Sequence, residues 1–156
     1  MNFKEFLKDN IVYLDGGMGT LLQEKGLKPG EYPERWNITR PDVITGIHKD
    51  YFDAGSNVVC TNTFGANSLK FESNELENII MSAVFNAKTA RDLSKNKAEK
   101  FVALDIGPLG KLLKPLGDLD FEDAVSVFAK TVKLGVKYGV DLVLIETMND
   151  SYETKA

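Results

Sequence analysis

The stretch NVVCTNT at residues 57–63 decides the fold, because an apolar, β-branched run there passes directly into polar side chains. Three other runs have the same character, namely IVYL at 11–14, FVAL at 101–104 and VDLVLI at 140–145. Runs that are almost continuously apolar are typical of strands buried on both faces of a parallel sheet. The sequence therefore predicts four strands of one parallel sheet.

Helical patterns with their own start and stop residues separate these strands. The signals are Pro41 and Gly55 for the first helix, a capping box of Asn74 and Glu77 for the second, and Asp120 and Gly139 for the third. The predicted apolar faces of the second and third helices extend to Leu93 and Val136, and residues 151–156 indicate one more helical turn. This alternation predicts an α/β protein with right-handed crossovers.

Length and composition exclude several classes of protein. The 156 residues suit one domain, and a net charge of −4 provides no basic surface for nucleic acid. No apolar run approaches the ~18 residues of a membrane span, and the N-terminus, MNFKEFLKD, lacks the pattern of a signal peptide. A single cysteine permits no internal disulfide, so a reducing cytoplasm is the expected compartment.

Polar residues close every predicted strand. They are Asp15, the group Thr61, Asn62 and Thr63, then Asp105, and finally Glu146 with Thr147. Because the carboxyl ends of parallel strands share one face, these side chains are expected to converge there, although any one of them could simply cap the next turn. Carboxylates held together in this way suit a cationic group such as an amine, or proton transfer.

A glycine-rich loop, GGMGT at residues 16–20, follows Asp15 and opens a helix. Its glycines let the backbone approach a ligand, and the helix start offers N–H groups to an anion, although a tight turn alone would also explain them. The dinucleotide-binding signature fails, because Leu22 stands where its third glycine belongs. An anion site beside an acidic cluster predicts a pocket for a zwitterion such as an α-amino acid.

Three other residues are expected to pack rather than react. His48 lies beside apolar residues in the middle of a helix, and Cys60 lies inside a strand, where a lone cysteine usually behaves as a small hydrophobe. Trp36 is expected to pack in a loop or to line the mouth of the site.

Five ordered motifs resemble the homocysteine S-methyltransferase family. They are DGGMGT at 15–20, a helix from Pro41 through IHKDYFDAG at 47–55, TNTFGAN at 61–67, DIGP at 105–108 and ETM at 146–148. The resemblance covers essentially the whole chain. It looks most similar to the homocysteine-binding module of cobalamin-dependent methionine synthases.

The resemblance implies a (β/α)8 TIM barrel that transfers a methyl group to homocysteine and so makes methionine. In the family a zinc ion binds the substrate sulfur as thiolate, the nucleophilic form at neutral pH. By resemblance, the backbone N–H groups near Gly17 and Met18 would hold the substrate carboxylate, while Asp105 and Glu146 would hold its ammonium group. The other pocket residues implied by the family are Asp15, Asn62 and Thr63.

The chain departs from the family at the metal. The three zinc cysteines of the family come from the second half of the barrel, and Cys60 matches none of them. The strand ends at positions 15, 62, 105 and 146 lie 41–47 residues apart, so eight such units would need roughly 350 residues. Closed barrels have ~250 residues or more, and this chain has 156. Residues 1–156 are therefore expected to form the N-terminal half of the barrel, about four β/α units, with the C-terminal half absent. We assign no catalytic residue and no metal ligand in this chain, and alone it is expected to be inactive.

The expected partners are homocysteine, the remaining half of the barrel, and further modules that carry cobalamin and methyltetrahydrofolate. Two alternatives stay open at this point. One is a non-catalytic, amino-acid-binding half-barrel that pairs with itself or with a partner, because a half-barrel exposes two sheet edges. The other is a doubly wound nucleotide-binding domain, which ranks lowest because residues 61–63 lack the acidic contact to ribose.

Overall fold

A computed structural model describes residues 2–156, in which seven α-helices and a short 3-10 helix accompany one parallel sheet. In chain order the elements are α1 (Phe3–Asp9), α2 (Met18–Glu24), the 3-10 helix (Pro33–Arg35), α3 (Trp36–Thr39), α4 (Pro41–Ala54), β1 (Val58–Cys60), α5 (Ser73–Leu93), β2 (Phe101–Ile106), α6 (Phe121–Tyr138), β3 (Leu142–Ile145) and α7 (Ser151–Lys155). The predicted α/β class and the parallel pairing are confirmed.

The sheet has the order β1-β2-β3, with each strand parallel to its neighbour. β2 is buried along its whole length, as its continuous apolar run predicts. β3 differs, because burial alternates along it and leaves Val143 and Ile145 exposed. Full burial of the strands is therefore correct for β2 and wrong for β3.

The predicted strand at 11–14 is wrong, since it contributes only an isolated parallel bridge between Leu14 and Val58. The N–H groups of Asn57 and Val58 both donate to the Tyr13 carbonyl, and the Tyr13 N–H donates to the Asn57 side chain at 3.1 Å. The Asn57 side chain thus replaces a backbone acceptor in the hydrogen-bond ladder, and regular strand pairing stops there. Ile11 and Tyr13 are 76% and 60% exposed rather than buried.

Proline and glycine predict the helix ends correctly, whereas the predicted side-chain caps do not form. Pro41 begins α4, and Gly55 ends it in the left-handed region at φ 117°, both as predicted. Gly139 ends α6 in the same way at φ 81°. The predicted capping box at Asn74 is wrong, because α5 begins at Ser73 and Asn74 lies within its first turn. Asp120 does precede α6, but its carboxylate pairs with Lys114 at 2.9 Å instead of capping the helix.

The apolar face predicted for α6 is confirmed in part, since Phe128 is buried and Phe121 and Val132 pack against the core. Val136 at its end is 64% exposed instead, and Gly135 beside it is buried. A Cβ at Gly135 would lie 2.6 Å from Leu104 Cδ2, so glycine lets the helix approach β2 closely at this point. On α5 the predicted face is buried as far as Ala90, and Leu93 at its end is exposed.

The core lies in two layers, one on each face of the sheet. On one face, α5 and α6 bring Leu76, Ile80 and Phe128 against Leu104 of β2. On the other face, α1 packs Phe6 against Phe101, with the two ring centroids 5.5 Å apart. Because α1 fills this second face beside the start of β2, it leaves the carboxyl ends of the strands open.

His48 and Trp36 both pack, as predicted. Trp36 lies with Leu22 and Ile44 in a buried cluster, beneath the Arg40 guanidinium at 4.5 Å from its ring centroid. His48 is completely buried, both of its ring nitrogens lack hydrogen-bond partners, and burial lowers its pKa to about 4. Across residues 2–156, no helix combines the length and apolar character needed to cross a bilayer.

Candidate functional site

A pocket of about 520 Å³ lies at the carboxyl ends of the strands. Six of the seven residues that the sequence indicated line it, namely Asp15, Gly17, Met18, Asn62, Asp105 and Glu146. The seventh, Thr63, lies behind the pocket wall and is 1% exposed. Residues from three strand ends and the glycine-rich loop therefore surround one cavity, although they are far apart in the chain.

Asp105 is the last residue but one of β2 and is only 7% exposed. Its backbone is held by two threonines: the Asp105 N–H donates to Thr61 Oγ1 at 3.2 Å, and Thr63 Oγ1 donates to the Asp105 carbonyl at 2.8 Å. The buried carboxylate oxygen Oδ1 has no hydrogen-bond partner. Burial, followed by repulsion from Glu146, Asp15 and Glu34, raises the pKa of Asp105 to about 7.

Asp15 differs from Asp105, because one of its oxygens is satisfied. Its Oδ2 accepts the Cys60 N–H at 2.8 Å. This bond ties Asp15, which directly follows the Leu14 bridge, to the end of β1. Burial raises the pKa of Asp15, whereas this hydrogen bond opposes the rise. Asp15 is therefore the better satisfied of these two carboxylates.

Glu146 follows β3 directly, and its N–H donates to the Ile106 carbonyl at 3.1 Å. The next residue, Thr147, has φ 57°, which is a strained value for a β-branched side chain. This tight turn ends the strand and leaves Glu146 on the pocket wall.

The glycine-rich loop forms the other side of the pocket. Gly17 precedes α2, and no side chain caps that helix start, so the N–H groups of its first turn are not used by a cap. Tyr51 holds the loop by donating from its hydroxyl to the Gly17 carbonyl at 3.1 Å. A Cβ on Gly16 would lie 2.9 Å from that hydroxyl oxygen, so the loop and the tyrosine are closely packed.

Glu34 is a pocket residue that the sequence reasoning missed. It follows Pro33 in the 3-10 helix, is 5% exposed and lines the cavity. Local sequence offers no signal for it, because the nearby Glu31 has the same side chain and is exposed. Glu34 enters the site through packing of its helix against the loop after β1, where its Oε1 accepts the Gly65 N–H at 2.7 Å.

The described residues do not fit a zinc ion held by cysteine thiolates. Cys60 is half-buried in the pocket wall, and burial followed by the charge of Asp15 raises the pKa of its thiol. Within residues 2–156, no three His, Cys, Asp or Glu side chains are grouped to hold a metal ion.

Comparison with known proteins agrees with the motifs in the sequence. A sequence model of the family described as homocysteine S-methyltransferase matches residues 12–156. Methionine synthase from Mycobacterium leprae (strain TN) is 31% identical over 163 residues, which cover 97% of this chain but only 13% of that protein.

The fold is similar to that of a solved structure. The homocysteine methyltransferase MmuM from Escherichia coli, in its oxidized form, superposes with a TM-score of 0.83 at 23% identity, over 96% of this chain and 57% of that one. The metallated form superposes with a TM-score of 0.82 at 22% identity, over 96% and 58%. This chain therefore spans little more than half the length of these structural relatives.

Proposed function

Because the chain belongs to the homocysteine S-methyltransferase family, as its motifs predict, we propose that it supplies the amino-acid pocket of a methionine-synthase-type enzyme. The reaction is the transfer of a methyl group to the thiol of homocysteine, which gives methionine. Since this chain covers only 13% of the methionine synthase that it resembles, the complete activity belongs to a longer protein or to an assembly.

The unpartnered carboxylate oxygen of Asp105 carries this proposal. A buried carboxylate without a hydrogen bond is costly, and a cationic group placed beside it removes that cost. An ammonium group between Asp105 and Glu146 meets this requirement, and the pocket of about 520 Å³ has room for a small amino acid. Binding of an ammonium group stabilises the ionised form of Asp105, so a ligand that arrives below pH 7 displaces a proton from it.

The other end of the ligand is assigned to the glycine-rich loop. The N–H groups near Gly17 and Met18 start a helix without a side-chain cap and so suit the substrate carboxylate. In this proposal Asp15 and Asn62 line the pocket, and Thr63 positions Asp105 through the backbone. The contribution of this chain to the reaction is therefore to bind and orient homocysteine.

The remaining parts of the enzyme are assigned to segments outside these residues. The fold likeness to 57% of the MmuM chain supports residues 1–156 as the first half of a (β/α)8 barrel, with three strands and the Leu14 bridge as about four β/α units. Zinc would activate the thiol as thiolate, and Cys60 alone does not provide its ligands. Cobalamin and methyltetrahydrofolate are assigned to other modules, and the single free cysteine agrees with a reducing cytoplasm.

A non-catalytic, self-pairing half-barrel is the second candidate function. It is favoured by the exposed apolar residues at both ends of the sheet, Ile11 and Tyr13 beside β1 and Ile145 on β3. In this candidate the pocket binds the amino acid, and pairing of two copies covers the edges. It differs from the first proposal in that no other module completes the barrel.

Isothermal titration of the 156-residue chain tests the pocket. L-homocysteine and L-methionine are expected to bind, because both carry the ammonium and carboxylate groups that the two sides of the site attract. The matched controls are 4-mercaptobutanoate, which lacks the amine, and homocysteine methyl ester, which lacks the carboxylate charge. Each control is expected to bind at least about tenfold more weakly, since each leaves a charged contact unmade. Equal binding of all four compounds, or binding of none, would overturn the proposal.

A further inference from the structure

Glu34 has a charge that the roles assigned so far do not use. Only one of its two carboxylate oxygens is bonded, because Oε1 accepts the Gly65 N–H at 2.7 Å. The other oxygen, Oε2, is buried and has no hydrogen-bond partner. The residue as a whole is 95% shielded from solvent and lines the pocket. Such an arrangement is unfavourable without a ligand, because a buried charged atom without a hydrogen bond loses its hydration.

A network of buried amides keeps Glu34 in this position. Asn37 Nδ2 donates to the carbonyl oxygens of Glu34, at 2.9 Å, and of Asn62, at 2.7 Å. Asn62 Nδ2 in turn donates to the Pro33 carbonyl at 2.8 Å. These bonds join the 3-10 helix to the loop after β1 from both sides. The amide network therefore fixes the backbone of Glu34, and the Gly65 N–H holds its carboxylate through Oε1.

The charge of Glu34 acts on the same pocket as Asp105. After burial and the charges of Glu146 and Asp15, repulsion from Glu34 also contributes to the raised pKa of Asp105. Lys70 approaches the loop as well, with its Nζ 3.0 Å from the point that a Gly65 Cβ would occupy. Among the described residues, however, Lys70 makes no ion pair with Glu34, and Oε2 is left without a partner.

We propose that Glu34 is a specificity-determining residue of the pocket, which holds the ammonium group of the amino acid with Oε2 and so rejects ligands that lack a cationic amine. The inference rests on the proposed function. A ligand without an amine leaves two buried carboxylate oxygens unpaired, Glu34 Oε2 and Asp105 Oδ1. Sites built around such polar contacts discriminate strongly against analogues that lack the matching group.

The variant Glu34→Gln tests this role, because glutamine keeps an oxygen for the Gly65 N–H and removes only the charge. We expect E34Q to bind L-homocysteine about tenfold more weakly, as for loss of one charge-assisted hydrogen bond. Its affinity for 4-mercaptobutanoate is expected to stay within about twofold of that of the wild type or to improve. The ratio of the two affinities, measured by titration calorimetry, is the readout.

Glu153→Gln is the matched control. Glu153 is also 5% exposed and accepts a backbone N–H through Oε1, from Leu109 at 2.8 Å, but it lies outside this pocket. E153Q is expected to leave the affinity ratio unchanged.

Two results would overturn the inference. An equal loss of both affinities in E34Q would assign Glu34 to support of the loop, and unchanged affinities would remove it from the site. In the second case, equal losses of melting temperature in E34Q and Lys70→Met would make Lys70 its partner. Failure of the wild type to bind homocysteine is distinct from these, since it would overturn the proposed function and this inference together.

Discussion

Asp105 is the residue at which burial and like charge act together. The side chain is 7% exposed and has acidic neighbours in the same pocket, and both effects disfavour its ionised form. Between its ordinary pKa of 3.8 and the folded value of about 7, the folded protein binds a proton that the unfolded chain releases. The free energy of unfolding therefore falls as the pH rises through this interval and levels off above it.

Asp105→Asn is expected to remove this fall in the free energy of unfolding with rising pH. Near pH 4 the variant and the wild type should have similar free energies of unfolding, since the wild-type carboxyl is then protonated in the folded state. At pH 8 the variant should be more stable by on the order of 2–4 kcal/mol. Urea titrations between pH 4 and pH 8 measure the difference.

Asp50→Asn is the control for this prediction. Asp50 is exposed on α4, and its replacement should shift stability by less than about 0.5 kcal/mol at every pH. A difference between D105N and the wild type that does not change with pH would contradict the assignment of the raised pKa to Asp105.

At the scale of elements, two helices contain a glycine in opposite surroundings. Gly46 lies inside α4 with no atom within 4 Å of a Cβ built on it. Gly135 lies inside α6, where the same Cβ would lie 2.6 Å from Leu104 Cδ2. Helix propensity favours alanine at both positions, so only the packing distinguishes them.

Gly46→Ala is expected to raise the free energy of unfolding by about 0.5–1 kcal/mol, because alanine restricts the unfolded chain and suits the helix. Gly135→Ala is expected to lower it, because overpacking costs about 1–3 kcal/mol and outweighs the helical gain. Chemical denaturation of the two variants checks the difference, and each serves as the control for the other. Stabilisation by G135A would show that α6 does not pack on β2 as closely as described.

At the scale of the whole molecule, the sheet has an open edge on both sides. Residues 11–14 pair with β1 through a single bridge, and Ile11 is 76% exposed. Beyond β3 no further strand pairs among residues 2–156, and Ile145 is 50% exposed. Open apolar edges of this kind pair with other chains unless something covers them.

The 156-residue chain is therefore expected to associate at micromolar concentration in analytical ultracentrifugation. The double variant Ile11→Lys with Ile145→Lys should sediment as a monomer, because lysine at an edge opposes strand pairing. Phe85→Lys is the control, since Phe85 is 69% exposed on α5 but is not part of the sheet. A wild type that is monomeric at all concentrations, with a cooperative thermal transition, would contradict this prediction.

Short-range signals in the sequence were the most reliable guide to the fold. Pro41, Gly55 and Gly139 mark helix ends correctly, because their own backbone preferences act within one turn. The periodic face of α6 was predicted only in part, because Val136 is exposed and Gly135 instead lies against Leu104, which is 31 positions away in the chain. The side-chain cap at Asn74 failed for a related reason, because α5 starts at the preceding residue without a side-chain cap.

The sequence by itself determined the parallel α/β plan, the family, and the polar residues Asp15, Asp105 and Glu146 that line the pocket. These features follow from residue order, because parallel strands bring their carboxyl ends to one face. Only the tertiary structure decided that Glu34 enters the pocket, that residues 11–14 stay exposed, and that Asp105 Oδ1 has no partner. The physical reason is that burial and charge repulsion depend on residues distant in sequence, such as Glu34 and Gly65, which no local pattern relates.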